Sequence, residues 1–64
     1  MAMKSFWVKE RHNPQNGVSY TACGQLTVAE AKKKENALYG YNVMHRYKTE
    51  AEYRAALVGF GLGG

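Results

Sequence analysis

Thr27 and Thr49 each stand three residues ahead of a glutamate, Glu30 and Glu52. A threonine hydroxyl at a helix N-cap accepts the N–H of the third helical residue, and a glutamate at that residue reaches back to the N-cap N–H. Two such signatures in 64 residues set two helix starts and leave the remaining stretches to supply everything else. In the first helix, Leu26 and Ala31 stand where a hydrophobic staple forms, and Lys32, Lys33 and Lys34 complement the negative pole of the helix dipole. Asn36 and Gly40 are its stop signals. In the second, Tyr53, Ala56, Leu57 and Phe60 recur at i, i+3, i+4 and i+7, one face of an α-helix ending by Val58 or Gly59. The glycine-rich residues 60–64 are expected to fray.

Ser5–His12 is rich in aromatic and β-branched residues and runs into Asn13-Pro14-Gln15-Asn16-Gly17, a run of turn formers, which predicts a hairpin. Its returning strand is Val18–Cys23, broken by Gly24 and Gln25. Tyr41–Tyr47 alternates aromatic and β-branched residues with polar ones and predicts a third strand. The order β-β-α-β-α defines an α+β fold, a three-stranded antiparallel sheet with two helices on one face, forming one domain over residues 1–64.

So short a chain builds a small core and relies on good local structure or a partner. Cys23 is the only cysteine, so an intrachain disulfide is excluded. With His12 and His45 it is too few for a four-ligand zinc site without carboxylates or a second chain. Neither a membrane-spanning apolar run nor a secretory leader is legible, and the chain is expected to be cytoplasmic.

Strand alternation puts Phe6, Val8, Val18, Tyr20, Ala22, Val43 and Tyr47 on the core face, under Ala31, Leu38, Tyr53, Leu57 and Phe60. The other face carries Trp7, Lys9, Arg11, Ser19, Thr21, Asn42, Met44 and Arg46, with no element left to cover it. Cations neutralise phosphate, aromatics stack on bases and hydroxyls reach backbone oxygens, so Trp7, Lys9, Arg11, Thr21 and Arg46 form the candidate nucleic-acid surface. Nine Lys+Arg against five Asp+Glu, a net charge of +4, agree with it, although the same residues also suit a solvated sheet face. Trp7, Tyr39 and Tyr41 form a candidate protein-interaction surface, because rigid aromatics bury much area at low entropic cost.

Catalysis is not expected. Glu10, His12, Cys23 and His45 fall at no catalytic spacing, and His45 alternates onto the core face as a partly buried, hydrogen-bonded ring. The tail glycines neither follow a strand nor open a helix, so they form no phosphate loop. No cofactor and no metal is implied.

The aromatic first strand, the turn into Gly17-Val18-Ser19-Tyr20-Thr21, the lysine-bearing helix and Tyr47-Lys48-Thr49-Glu50-Ala51-Glu52 opening the last helix resemble the hybrid-binding, viroplasmin-like domain of ribonucleases H. That resemblance implies binding of an RNA–DNA duplex. The family commonly carries a Trp shortly after the second strand, where this chain has Ala22-Cys23-Gly24. In size, charge and plan the chain is also similar to small phage-encoded inhibitors such as anti-CRISPR proteins. The function expected is therefore a small non-enzymatic module that binds nucleic acid, either DNA or an RNA–DNA hybrid, through the open sheet face. The alternative is a protein-interaction module, a phage-encoded inhibitor or an accessory subunit of a larger assembly, with a homo-oligomer also open and no membrane partner.

Overall fold

The computed structural model describes residues 3–37 and 39–62. Strands β1 (Ser5–Asn13) and β2 (Gly17–Leu26), helix α1 (Val28–Lys34), strand β3 (Tyr41–Tyr47) and helix α2 (Glu50–Gly59) follow in that order. The three strands form one antiparallel sheet, β2-β1-β3, with the first strand in the middle. Because β1 runs against both neighbours, β2 and β3 are parallel to each other, and α1 crosses over β1 to connect them.

The hairpin turns where Asn13 places its side-chain carbonyl under the N–H groups of Gln15 and Asn16, at 2.8 and 3.2 Å. Beyond it β2 runs further than expected. Gly24 does not end the strand: the register slips between Trp7 and Val8, where Gly24 opposes Trp7 and Ala22 opposes Val8, leaving Cys23 as the extra residue of a β-bulge. Gly24 takes φ +72°, which a glycine adopts freely, and its N–H donates to the Tyr53 hydroxyl on α2 at 3.1 Å.

Both helix starts lie where the threonines put them, but the two caps differ. Thr27 forms the full capping box, accepting from Glu30 N–H at 3.2 Å while its own N–H donates to the Glu30 carboxylate at 3.0 Å. Thr49 accepts from Glu52 N–H at 3.2 Å, and the return bond does not form. Phe60 to Leu62 do not fray. Gly61 takes φ +80°, its N–H reaches Val58 O at 3.0 Å, and Leu62 N–H reaches Leu57 O at 2.7 Å, the paired bonds of a Schellman cap. Residues 63 and 64 lie outside the described residues, as does Leu38, which the sequence placed in the core.

The helices occupy opposite faces of the sheet, not one. On the first face, Ala31 of α1 is buried with Trp7 and Leu26, and Cys23 and Met44 pack beside them. On the second, Tyr53 of α2 stacks on Phe6 with centroids 5.1 Å apart and meets Tyr47 at 6.5 Å, while Phe60 stacks on Tyr20 at 4.4 Å. Beneath α2, Val8 is fully buried. The expected single core is thus two thin ones sharing the sheet. Val18, assigned to the core, is half exposed because α2 does not extend to the hairpin end.

Candidate nucleic-acid interface

The face expected to be open is half covered. Helix α1 lies over its Trp7 end, Trp7 is 8% exposed, and the indole N–H donates to Leu26 O at 3.0 Å. Trp7 is therefore neither a stacking platform for bases nor part of a protein contact, which corrects both expectations. Arg46 opposes Trp7 in the register; its Nε–H donates to Ser5 Oγ at 3.0 Å, so it sits at the covered end.

The other half of this face stays free. There Lys9 and Arg11, two residues apart on the central strand and so on one face, meet Lys34 from the last turn of α1. Together with Asn36, Ala37 and Asn42 they line a cleft of about 340 Å³. Among the described residues, only Arg54 of the lysines and arginines pairs with a carboxylate, Glu50 on α2 at 2.7 Å, so Lys9, Arg11 and Lys34 keep their charge for a ligand. Thr21 is exposed and opposes Lys9 from β2.

Asn42 builds the cleft. It opposes Arg11 in the register, and its Nδ2 donates to Lys34 O at 3.0 Å and Asn36 O at 3.2 Å, tying the end of α1 to β3. Its Oδ1 is buried without a partner, a desolvation cost of about 1–3 kcal/mol that goes with holding the helix end in place. The sequence placed Asn42 on this face without a role and read Lys34 as a solvated residue complementing the helix dipole, not as part of the site. The lysine run in the last turn, followed at once by an asparagine stop, was the available signal.

Tyr39 and Tyr41 are 72% and 58% exposed at the hairpin end of the molecule. They do not join Trp7 in one surface. Tyr41 opposes His12, five residues along β1 from Trp7 and so about 17 Å away. Gly40 between them takes φ +75°, and a Cβ there would collide with the His12 carbonyl oxygen and fall 2.9 Å from its carbon. That approach pins the tyrosine segment against the hairpin. Tyr41 stacks on the His12 imidazole, centroids 4.4 Å apart.

On the α2 face, Glu10 sits between two imidazoles, accepting from His12 Nε2 and from His45 Nε2, the latter at 3.1 Å. These bonds, His12 first, hold the Glu10 carboxyl below its ordinary value of 4.5. His45 is the partly buried, hydrogen-bonded ring the sequence implied. No group of three or more His, Cys, Asp or Glu among the described residues is arranged to hold a metal ion. The Cys23 thiol is half-buried on the bulge and donates to Thr21 O at 3.7 Å. No helix among the described residues is long and apolar enough to cross a membrane.

No protein-family model, no curated protein and no solved structure matches this chain.

Proposed function

We propose that this protein is a small non-enzymatic module of the cytoplasm that binds nucleic acid through its phosphodiester backbone. The observation that carries this reading is the cleft in which Lys9 and Arg11 of β1 converge with Lys34 of α1, none of the three paired with a carboxylate. Two of these cations stand on the best-held strand of the sheet. The third is carried on a main chain that the Asn42 bonds tie to β3, so the backbone bearing the three cations needs no rearrangement when a ligand arrives. Phosphate groups suit the cleft because neutralising them releases condensed counterions, a term that needs no particular base sequence. The basic surface thus moves from the whole sheet face to its uncovered half, with Trp7 and Arg46 left out.

The test is fluorescence anisotropy on single-stranded DNA, duplex DNA and RNA–DNA hybrid over a range of salt. Affinity is expected to fall with salt, and Lys9→Gln with Arg11→Gln should reduce the logarithmic salt slope by about one unit for each phosphate that is no longer neutralised. Absence of binding to all three at low salt overturns the reading. The exposure of Tyr39 and Tyr41 favours a second reading, a protein-interaction module using the hairpin end. A salt-insensitive partner recovered from cell extract, and no longer recovered with Tyr41→Ala, would support it.

A further inference from the structure

We infer that the nucleic acid recognised is single-stranded, its backbone held in the cationic cleft and a base stacked on Tyr39 at the hairpin end. This rests on the cleft reading and adds the substrate class.

The relative placement of charge and aromatic surface carries the inference. Arg11 opposes Asn42 and His12 opposes Tyr41, so the last cation of the cleft and the first exposed tyrosine of β3 occupy consecutive register positions. Alternation sends Arg11 and Asn42 to the α1 face and His12 and Tyr41 to the α2 face. The segment joining the two faces is the connection from α1 to β3, which contributes Asn36 and Ala37 to the cleft and ends in Tyr39 and Gly40. Tyr39 lines a hollow of about 280 Å³ with Asn13, Pro14 and Gln15 of the hairpin. On the α2 side, Tyr41, Pro14 and Val18 line a second hollow of about 340 Å³.

A ligand that uses both the cleft and the tyrosines must turn around the end of the sheet. Duplex DNA, with a persistence length of about 150 base pairs, does not make that turn, and its bases offer no free faces. A single strand bends freely and presents unstacked bases that an aromatic ring accepts whatever their sequence. Charge decides against an apolar partner for this end. Tyr41 stands one register position beyond Arg11, a cation that an apolar protein surface reaching round the edge would have to desolvate and a phosphate chain neutralises. Gly40 also matters, because its positive φ and close approach to the His12 carbonyl set the path of the main chain between Tyr39 and Tyr41.

The experiment compares Tyr39→Ala, Tyr39→Phe and the Lys9→Gln, Arg11→Gln double variant on a single strand and on a duplex of equal length at one salt concentration, with circular dichroism confirming the fold; for Tyr39→Ala the single-strand titration is repeated over a range of salt. The wild-type protein should bind the single strand more tightly. Tyr39→Ala should lower single-strand affinity roughly five- to hundredfold, with the salt slope and the duplex affinity unchanged, and Tyr39→Phe should restore it. Equal affinity for the two forms with Tyr39→Ala silent overturns this inference, and the cleft reading then stands if the double variant still weakens binding. Failure of the wild-type protein to bind either form overturns both. A Tyr39→Ala protein that keeps its single-strand affinity but no longer self-associates or holds a protein partner overturns the inference in favour of a protein contact.

Discussion

The indole N–H of Trp7 donates to the main-chain carbonyl of Leu26 at 3.0 Å, joining the start of the central strand to the end of β2 just before α1 begins. Both residues are buried with Ala31. The bond satisfies a carbonyl at the entry to the helix, and the ring is the largest side chain of the cluster on that face. Trp7→Phe keeps much of the volume but removes the bond to Leu26 O, an expected cost of about 0.5–1.5 kcal/mol. Trp7→Ala, at about 3–5 kcal/mol, should leave little folded protein in so small a domain. Denaturant melts measure the cost. Fluorescence of the single tryptophan should be blue-shifted and resistant to soluble quenchers in the native protein.

Gly40 is fixed by both conformation and contact, so Gly40→Ala should cost at least about 2 kcal/mol. Gly17 also has positive φ, +79°, yet no atom lies within 4 Å of a Cβ placed there. Gly17→Ala should therefore cost only the backbone strain, about 1–2 kcal/mol. Thermal melts of the two variants side by side check the difference.

The two N-caps should behave differently despite identical spacing. Thr27→Ala and Thr49→Ala should each cost about 0.5–2 kcal/mol. Only the Thr27 and Glu30 pair should show coupling in a double-mutant cycle, because only there do both bonds of the box form. Additive effects at Thr27 and Glu30 would contradict the reciprocal geometry.

Stability should fall with acid, and the sign follows from Glu10. Its folded carboxyl titrates below the ordinary 4.5 because His12 and His45 donate to it. The stability it contributes is complete above about pH 4.5 and is lost as pH falls through the lowered folded value. Glu30, held down by its bonds to Thr27, acts in the same direction. Glu10→Gln should flatten the stability profile below pH 4.5, and adding Glu30→Gln should flatten it further. Chemical denaturation from pH 3 to 7 checks this.

The elements were legible where local chemistry sets them. The β3 limits follow from the alternation of Tyr41–Tyr47, the helix starts from Thr27 and Thr49, and the α2 stripe from Tyr53, Ala56, Leu57 and Phe60. The side of the sheet each helix takes was not. Lys9, Arg11, Thr21 and Arg46 make the Trp7 face read as polar, yet it is apolar at one end, where Trp7, Leu26 and Met44 meet a helix contributing little more than Ala31. Strand alternation averages over that division. Gly24 read as a break because glycine is permissive, and only the register shows the chain continuing through a bulge. In the candidate site, Lys9, Arg11 and Thr21 were found from alternation. Lys34 and Asn42 were missed as site residues because what joins them is a tertiary bond.

With β1 in the middle, β2 and β3 share no hydrogen bond with each other. Every sheet bond among the described residues therefore has one end on a single nine-residue segment, Ser5–Asn13. Each amide of the central strand is bonded to one rim or the other, so opening one rim frees alternate amides and only the loss of both frees them all. Its amides around Val8 should set the slowest exchange rate in the protein and report the free energy of global unfolding. Releasing that strand leaves the outer two with no neighbour to bind.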